Sequence, residues 1–178
     1  LFAIVQGGDN KELRKHCAKE LLKIGFDGYS FGGWPEKNGM LLKGILRFTS
    51  KLIPDEFPKY AMGVGRPEDI VEAVNLGYNM FDCVIPTREA RHKKMYLFKK
   101  EPAKKDVLKQ DFYSAIYIKS KNLKDKNPVS KHCDCYTCKN YSLSYLCNLF
   151  KENDSLAIRL ATIHNLRFYS KLMEVLRK

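Results

Sequence analysis

Apolar and polar positions alternate along the chain in two periods, short continuous apolar runs and longer stretches of helical spacing. Leu1-Phe2-Ala3-Ile4-Val5 is an apolar run ending in Gln6-Gly7-Gly8, the pattern of a buried strand entering a glycine loop. Asp9 then opens a capping-box pattern with Glu12, and Leu13, Cys17, Leu21 and Ile24 share one helical face before Gly25 stops it. The unit repeats: Gly28-Tyr29-Ser30-Phe31 reads as a strand closing on Gly32-Gly33, followed by a helix from about Asn38 to Ile53 ahead of Pro54. Tyr60 to Val64 is a third strand, Pro67 suits the first turn of a helix that ends at Gly77, and Asn79 to Val84 is a fourth strand. Four β/α units with glycine-rich strand ends predict an α/β fold with a parallel sheet, closed either as a barrel or as a doubly wound sheet. The spacing does not choose between them. Four strands alone leave two open edges, so an N-terminal half, a partner chain or dimerisation is expected to close the sheet.

Beyond Arg91 the periods blur. Met95 to Phe98 and Ala115 to Ile118 predict short antiparallel strands, and Lys139 to Lys151 reads as a helix. Asp154 or Ser155 caps a final helix, with Leu156, Leu160, Ile163, Leu172 and Leu176 as its core positions.

Composition narrows the class. The 178 residues suffice for one domain, or one and a small appendage, and 44% of them are apolar, enough for a core. No apolar run approaches the roughly 18 to 20 residues that span a bilayer, so no membrane partner is expected. The net charge is +12, and Lys93 to Lys131 holds twelve lysines against Glu101, Asp106, Asp111 and Asp125, a local excess of about +8. Such a surface favours a polyanion, phosphate contacts above all; the alternative is a lysine-rich solvated loop. Of six cysteines, Cys133, Cys135 and Cys138 cluster as C-x-C-x2-C while Cys17, Cys83 and Cys147 stand alone. Clustering of this kind points to metal in a reducing compartment, hence a cytoplasmic protein, rather than to disulfides. With His164 the three thiolates make a closed tetrahedral donor set for one structural Zn2+. The alternatives are His132, which directly precedes the cluster, as the fourth ligand, or a core histidine beside a redox cysteine cluster.

The stretch Met80 to Arg91 carries the most chemistry. An apolar run takes one carboxylate, Asp82, to a strand end; a turn at Pro86 follows, then Arg88 and Arg91. A carboxylate at a strand mouth beside cations is a candidate nucleophile or a structural Asp paired with one of those arginines. These residues, FDCVIPTREAR, resemble the nucleophile segment of the tRNA-guanine transglycosylases, the queuine/preQ1 tRNA-ribosyltransferases. FAIVQGG, GFDGYSFGG with YAMGVGRPEDI, and CDCYTC followed by TIHNLRFY resemble the same family in the same order, across nearly the whole chain.

The resemblance implies a TIM barrel, of which residues 1–94 would be strands five to eight. Residues 95–178 would then be an irregular basic segment, the zinc-binding subdomain and the closing helix. It implies that Asp82 is the nucleophile, that Gln6 and Gly33 bind the base, and that His164 is the fourth zinc ligand. Gly63, Val64, Gly65, Arg66, Pro67, Glu68 and Asp69, with Thr87, Arg88, Glu89, Ala90 and Arg91, match its RNA-contacting segments. The implied reaction replaces guanine at the wobble position of a tRNA anticodon loop by a 7-deazaguanine, queuine or preQ1, in queuosine biosynthesis. A homodimer, or a partner chain supplying the N-terminal half, is the implied assembly.

The family's second catalytic carboxylate has no counterpart here, since Asp27 precedes its strand and Asp69 opens a helix. The run after Gly33, Trp34-Pro35-Glu36-Lys37-Asn38-Gly39, departs from the family's small-residue loop, and Arg91-His92-Lys93-Lys94 lacks its following glycine. Two other functions fit the same residues: a non-catalytic zinc-containing tRNA-binding subunit, and a related enzyme that inserts a deazaguanine into DNA.

Overall fold

In the computed structural model, which describes residues 1–109 and 111–178, contacts divide the chain into two compact units, Leu1–Cys83 and Val84–Lys178. The first unit opens with β1 (Phe2–Val5) and α1 (Lys11–Ile24). The cap of α1 is Asn10, one residue later than the Asp9 pattern suggests: its side chain accepts from the N–H groups of Glu12 and Leu13. Gly25, at φ 84°, ends the helix. The apolar stripe expected to be buried is only partly so. Leu13 and Ile24 are exposed, and the buried residues of α1 are Arg14 and Ala18.

β2 (Gly28–Phe31) is covered on both faces. Instead of starting a helix at Asn38, the chain then forms a hairpin, β3 (Glu36–Lys37) with β4 (Met40–Leu41), turning on Asn38 and Gly39 at positive φ. α2 begins only at Lys43 and runs to Ser50 (Lys43–Ser50). β5 (Lys59–Met62), α3 (Pro67–Asn75) and β6 (Met80–Asp82) complete the unit; Pro67 occupies the first turn of α3, where its missing N–H costs nothing.

The four long-range strands are parallel and lie in the order β1-β2-β5-β6. Consecutive β/α units are thus neighbours with no reversal of strand order. A barrel segment has this order; a doubly wound sheet switches direction. One face of the sheet packs through Ala3, Val5 and Tyr29 against Ala18 of α1 and Ile53, which follows α2. The other carries Phe2, Ile4, Tyr60, Met62, Met80 and Asp82. There Ile4 and Met80 are exposed, and the Phe2 and Tyr60 rings meet edge to face. Gly28 opens room for Phe2, since a Cβ there would lie 2.3 Å from its ring. Among the described residues, β1 and β6 each have one edge without a strand partner.

In the second unit Pro86 does not make a turn. It sits in the first turn of α4 (Ile85–Arg91). β7 (Lys94–Phe98) pairs antiparallel with β8 (Tyr113–Tyr117), with the short α5 (Lys104–Val107) between them. A 3-10 turn at Ser120–Lys124 follows. The helix expected over Lys139–Lys151 is two: α6 (Tyr136–Asn140) stops at the extended Tyr141, and Ser142 caps α7 (Leu143–Lys151). α8 (Ser155–Leu176), capped by Asp154, is the spine of the unit. Leu160, Leu172 and Leu176 are buried along it as expected. Asn165 of α8, fully buried, accepts from Tyr96 N–H and donates to the Pro86 and Lys94 carbonyls, fastening α4 and β7 to the spine. Among the described residues no helix is long and apolar enough to cross a membrane.

Candidate active site and metal centre

The C-terminal ends of the parallel strands gather the candidate residues of the first unit on one rim. Gln6 follows β1, Gly32 and Gly33 follow β2, Gly63 follows β5, and Asp82 ends β6. Sites in such sheets form on this rim because loop residues there vary while the strands stay fixed.

Asp82 is exposed, and one of its oxygens, Oδ1, accepts two hydrogen bonds: from the Tyr60 hydroxyl at 2.8 Å and from Gly63 N–H at 3.0 Å. Register explains the arrangement. Met62 pairs with Asp82 and Tyr60 with Met80, so alternate residues 60, 62, 80 and 82 share the face away from the helices. Gly63, at φ 77°, turns its N–H back toward the carboxylate. Burial, and then the bond to Asp82, raise the Tyr60 hydroxyl above its ordinary range, so it stays protonated and donates. Sequence reasoning missed Tyr60; its signal was strand parity with Met62. Tyr29 and Phe31, 1% exposed each, are core on the opposite face.

Gln6 is exposed, and its N–H donates to Cys17 Sγ at 3.3 Å. Its carboxamide lies over Gly32, where a Cβ would fall 2.6 Å from Gln6 Cδ and Oε1. Gly33 is exposed at φ 95°, beside the exposed Trp34. The segment after β5 is mixed: Val64, Gly65 and Pro67 are buried, Gly63, Arg66 and Glu68 exposed. Arg66 donates to Gly39 carbonyl at 2.7 Å and approaches Glu36 and Asp69 at 3.8 and 4.0 Å, so it joins the hairpin to α3. Asp69 is pushed up to about 6 by burial first, then by the charges of Glu68 and Glu36. Asp27 sits at the opposite strand end, just before β2.

In the second unit, Thr87 to Arg91 lie on α4. Ala90 is fully buried, while Arg88 and Arg91 are exposed. Glu89 pairs with Arg88 at 3.3 Å and with Lys94 at 3.1 Å. Burial opposes its ionisation, but those two cations outweigh it and hold Glu89 below the ordinary range.

The ligand atoms of Cys133, Cys135, Cys138 and His164 all lie within 4.8 Å of one another. His164 Nε2 donates to Tyr96 carbonyl at 2.7 Å, which leaves Nδ1 facing Cys138 Sγ at 3.2 Å and Cys135 Sγ at 3.7 Å. The other candidate, His132, lies outside this group; its Nδ1 is 3.9 Å from Glu101. Arg167 grips Asp134 with two bonds, 2.6 and 2.9 Å, and Thr137 donates to Leu160 carbonyl at 2.7 Å, so α8 holds the cysteine loop at both ends. The donors compete for protons. Hydrogen bonds from Cys133 and Cys138 pull the Cys135 thiol far down, and the same crowding pushes Cys138 far up. Burial disfavours the His164 imidazolium, but bonds to Cys133 and Cys135 prevail and raise it to about 9. Three thiols and one imidazole at this spacing fit a metal ion, which takes the place of the contested protons.

A family model described as Queuine tRNA-ribosyltransferase matches residues 1–178. Curated relatives bearing that same name are similar throughout. One from Mannheimia succiniciproducens is 46% identical over 184 aligned residues, covering 99% of this chain and 44% of the relative. One from Blochmanniella pennsylvanica is 48% identical, covering 100% and 45%. One from a Thermoanaerobacter species is 46% identical, covering 100% and 44%. The chain therefore spans less than half the length of the curated relatives it matches.

Proposed function

The chain belongs to the queuine tRNA-ribosyltransferase family, and from that premise we propose that it carries the nucleophile-bearing part of a tRNA-guanine transglycosylase. The enzyme would exchange guanine at the wobble position of a tRNA for a 7-deazaguanine, queuine or preQ1. The observation that carries the reading is the Asp82 carboxylate held at the strand rim by Tyr60 and Gly63.

Both hydrogen bonds fall on Oδ1, so Oδ2 is the atom presented to the substrate. With the target nucleotide flipped out of its stack, Oδ2 forms a bond to the ribose anomeric carbon. The C–N bond to guanine breaks, and its electron pair leaves with the base, which takes up a proton from a general acid that the completing part of the barrel would supply. The covalent ribosyl-Asp82 is then attacked at the same carbon by the incoming base, which gives up its ring N–H proton to that same group, and the carboxylate is released. The two donors on Oδ1 hold the nucleophile in line and stabilise the negative charge when it returns to the carboxylate.

Gln6 offers the base edge a donor and an acceptor, and Gly33 lets the backbone approach it closely. Gly63, Arg66, Glu68 and Asp69, with Thr87, Arg88, Glu89 and Arg91, are the exposed or half-exposed members of the segments that would contact RNA. Asp27 sits at the opposite strand end from Asp82, and Asp69 faces Arg66 in the first turn of α3. The open edges and the uncovered sheet face support completion of the barrel by further β/α units, from the same polypeptide or from a partner chain. Cys133, Cys135, Cys138 and His164 would hold one structural zinc, which would secure the cysteine loop to α8.

The test is guanine exchange into tRNA by the completed enzyme with Asp82→Asn. The reading requires loss of exchange with tRNA binding retained; unchanged exchange removes Asp82 as nucleophile. Running DNA in parallel separates the DNA-modifying alternative.

A further inference from the structure

Arg14 is 1% exposed, and its donors go to main-chain carbonyls rather than to a carboxylate. Nε reaches Gly8 at 2.7 Å, Nη1 reaches Val5 at 3.0 Å and Nη2 reaches Gly32 at 2.9 Å, while the guanidinium lies over the Phe31 ring at 4.2 Å. These carbonyls belong to the ends of β1 and β2 and to the loop between β1 and α1. Val5 immediately precedes Gln6, and Gly32 immediately precedes Gly33. Gly7 admits the side chain, because a Cβ there would stand 2.7 Å from Arg14 Cγ. Burying a guanidinium without a carboxylate costs stability that an apolar residue filling the same space would not cost. What an apolar residue cannot do is fix three carbonyls at once in a planar fork.

We propose that Arg14 is a positioning residue for the substrate base, setting the separation between the Gln6 carboxamide and the Gly33 main chain that bound the base edge. The inference rests on the assignment of Gln6 and Gly33 to the base. Arg14 does not touch the substrate; it acts through the two residues that do. Val5 carbonyl accepts from both Arg14 and Gly32 N–H, so the same atom that registers β1 against β2 also carries the clamp. Lysine in its place would offer a flexible point charge and lose the fork.

The experiment is steady-state exchange of radiolabelled guanine into tRNA by the completed enzyme, comparing wild type with Arg14→Lys, Arg14→Met, Phe31→Leu and Gln6→Ala. Arg14→Lys and Arg14→Met are expected to raise KM for guanine about tenfold or more, with KM for tRNA within about twofold, as misplacement of a binding pair predicts. KM belongs to the folded molecules alone, so a smaller folded fraction lowers the apparent kcat and leaves KM unmoved. Phe31→Leu keeps the three bonds and removes only the ring beneath the guanidinium. It is expected to raise the same KM by less, and it decides the matter if the Arg14 variants yield no soluble protein. A fall in kcat with guanine KM unchanged in these variants overturns the proposal and leaves Arg14 a structural clamp. If Gln6→Ala raises guanine KM and Arg14→Lys does not, the inference alone fails. If Gln6→Ala leaves guanine KM unchanged, the base-site assignment itself falls. The Gln6→Ala, Arg14→Lys double variant should be less than additive, since one residue acts through the other.

Discussion

Replacing Tyr60 by phenylalanine removes one atom and one of the two hydrogen bonds on Asp82 Oδ1. The ring stays, so its edge-to-face contact with Phe2 survives and the sheet face keeps its packing. A hydrogen bond to an ionised group makes a net contribution of about 1.5 to 3 kcal/mol. Asp82 is exposed, so water substitutes in part, and the remaining cost is roughly 0.7 to 1.4 kcal/mol. If that bond positions the attacking carboxylate, the loss appears as a threefold to tenfold drop in the glycosyl-transfer step, at about 1.4 kcal/mol per decade. The assay is single-turnover release of labelled guanine from saturating tRNA by the completed enzyme, with tRNA affinity measured separately. A threefold to tenfold slower step with unchanged affinity meets the expectation. A rate equal to or above wild type would refute the positioning role and leave Tyr60 a packing residue.

Asp69→Asn should stabilise the protein at pH 8 and lose that advantage toward pH 4. The folded carboxyl titrates at about 6, against about 4 unfolded, so ionisation destabilises the fold as pH rises through that window. The gain at pH 8 should be roughly 1 to 3 kcal/mol by urea unfolding; destabilisation there would mean that Arg66 holds the ionised form. Freshly purified protein should contain close to one equivalent of zinc by elemental analysis, and Cys138→Ser should abolish it and lower Tm; under half an equivalent in wild type sinks the zinc assignment.

What the sequence made legible was the rim. Glycine-ended apolar runs placed Gln6, Gly33 and Gly63 at strand ends, the apolar run ahead of Pro86 placed Asp82, and the strands formed close to where they were expected because each is a short apolar run. Arg14 was invisible to hydropathy: a charged side chain at a helical position reads as solvent-facing, and only the fold reveals three carbonyls converging on it. Leu13 and Ile24 show the reverse, with helical spacing correct and burial absent. The hairpin at Glu36 to Leu41 had its signal in Asn38-Gly39, a pair that readily takes positive φ at both positions, but two-residue strands carry too little pattern to compete with the helical reading. The break at Tyr141 and Ser142 was likewise a local choice, a serine cap prevailing over a continuous apolar period. The cysteine cluster was plain from spacing, whereas the Tyr96 carbonyl that orients His164 came from a strand far away in sequence.

The most direct test of the covalent claim is to quench the completed enzyme with tRNA, in the absence of an incoming base, into denaturant and map any protein–RNA adduct by mass spectrometry. The account predicts a denaturant-stable ribosyl linkage at Asp82 that disappears in Asp82→Asn and is discharged by adding guanine. An adduct that persists in Asp82→Asn, or maps to another residue, would contradict it.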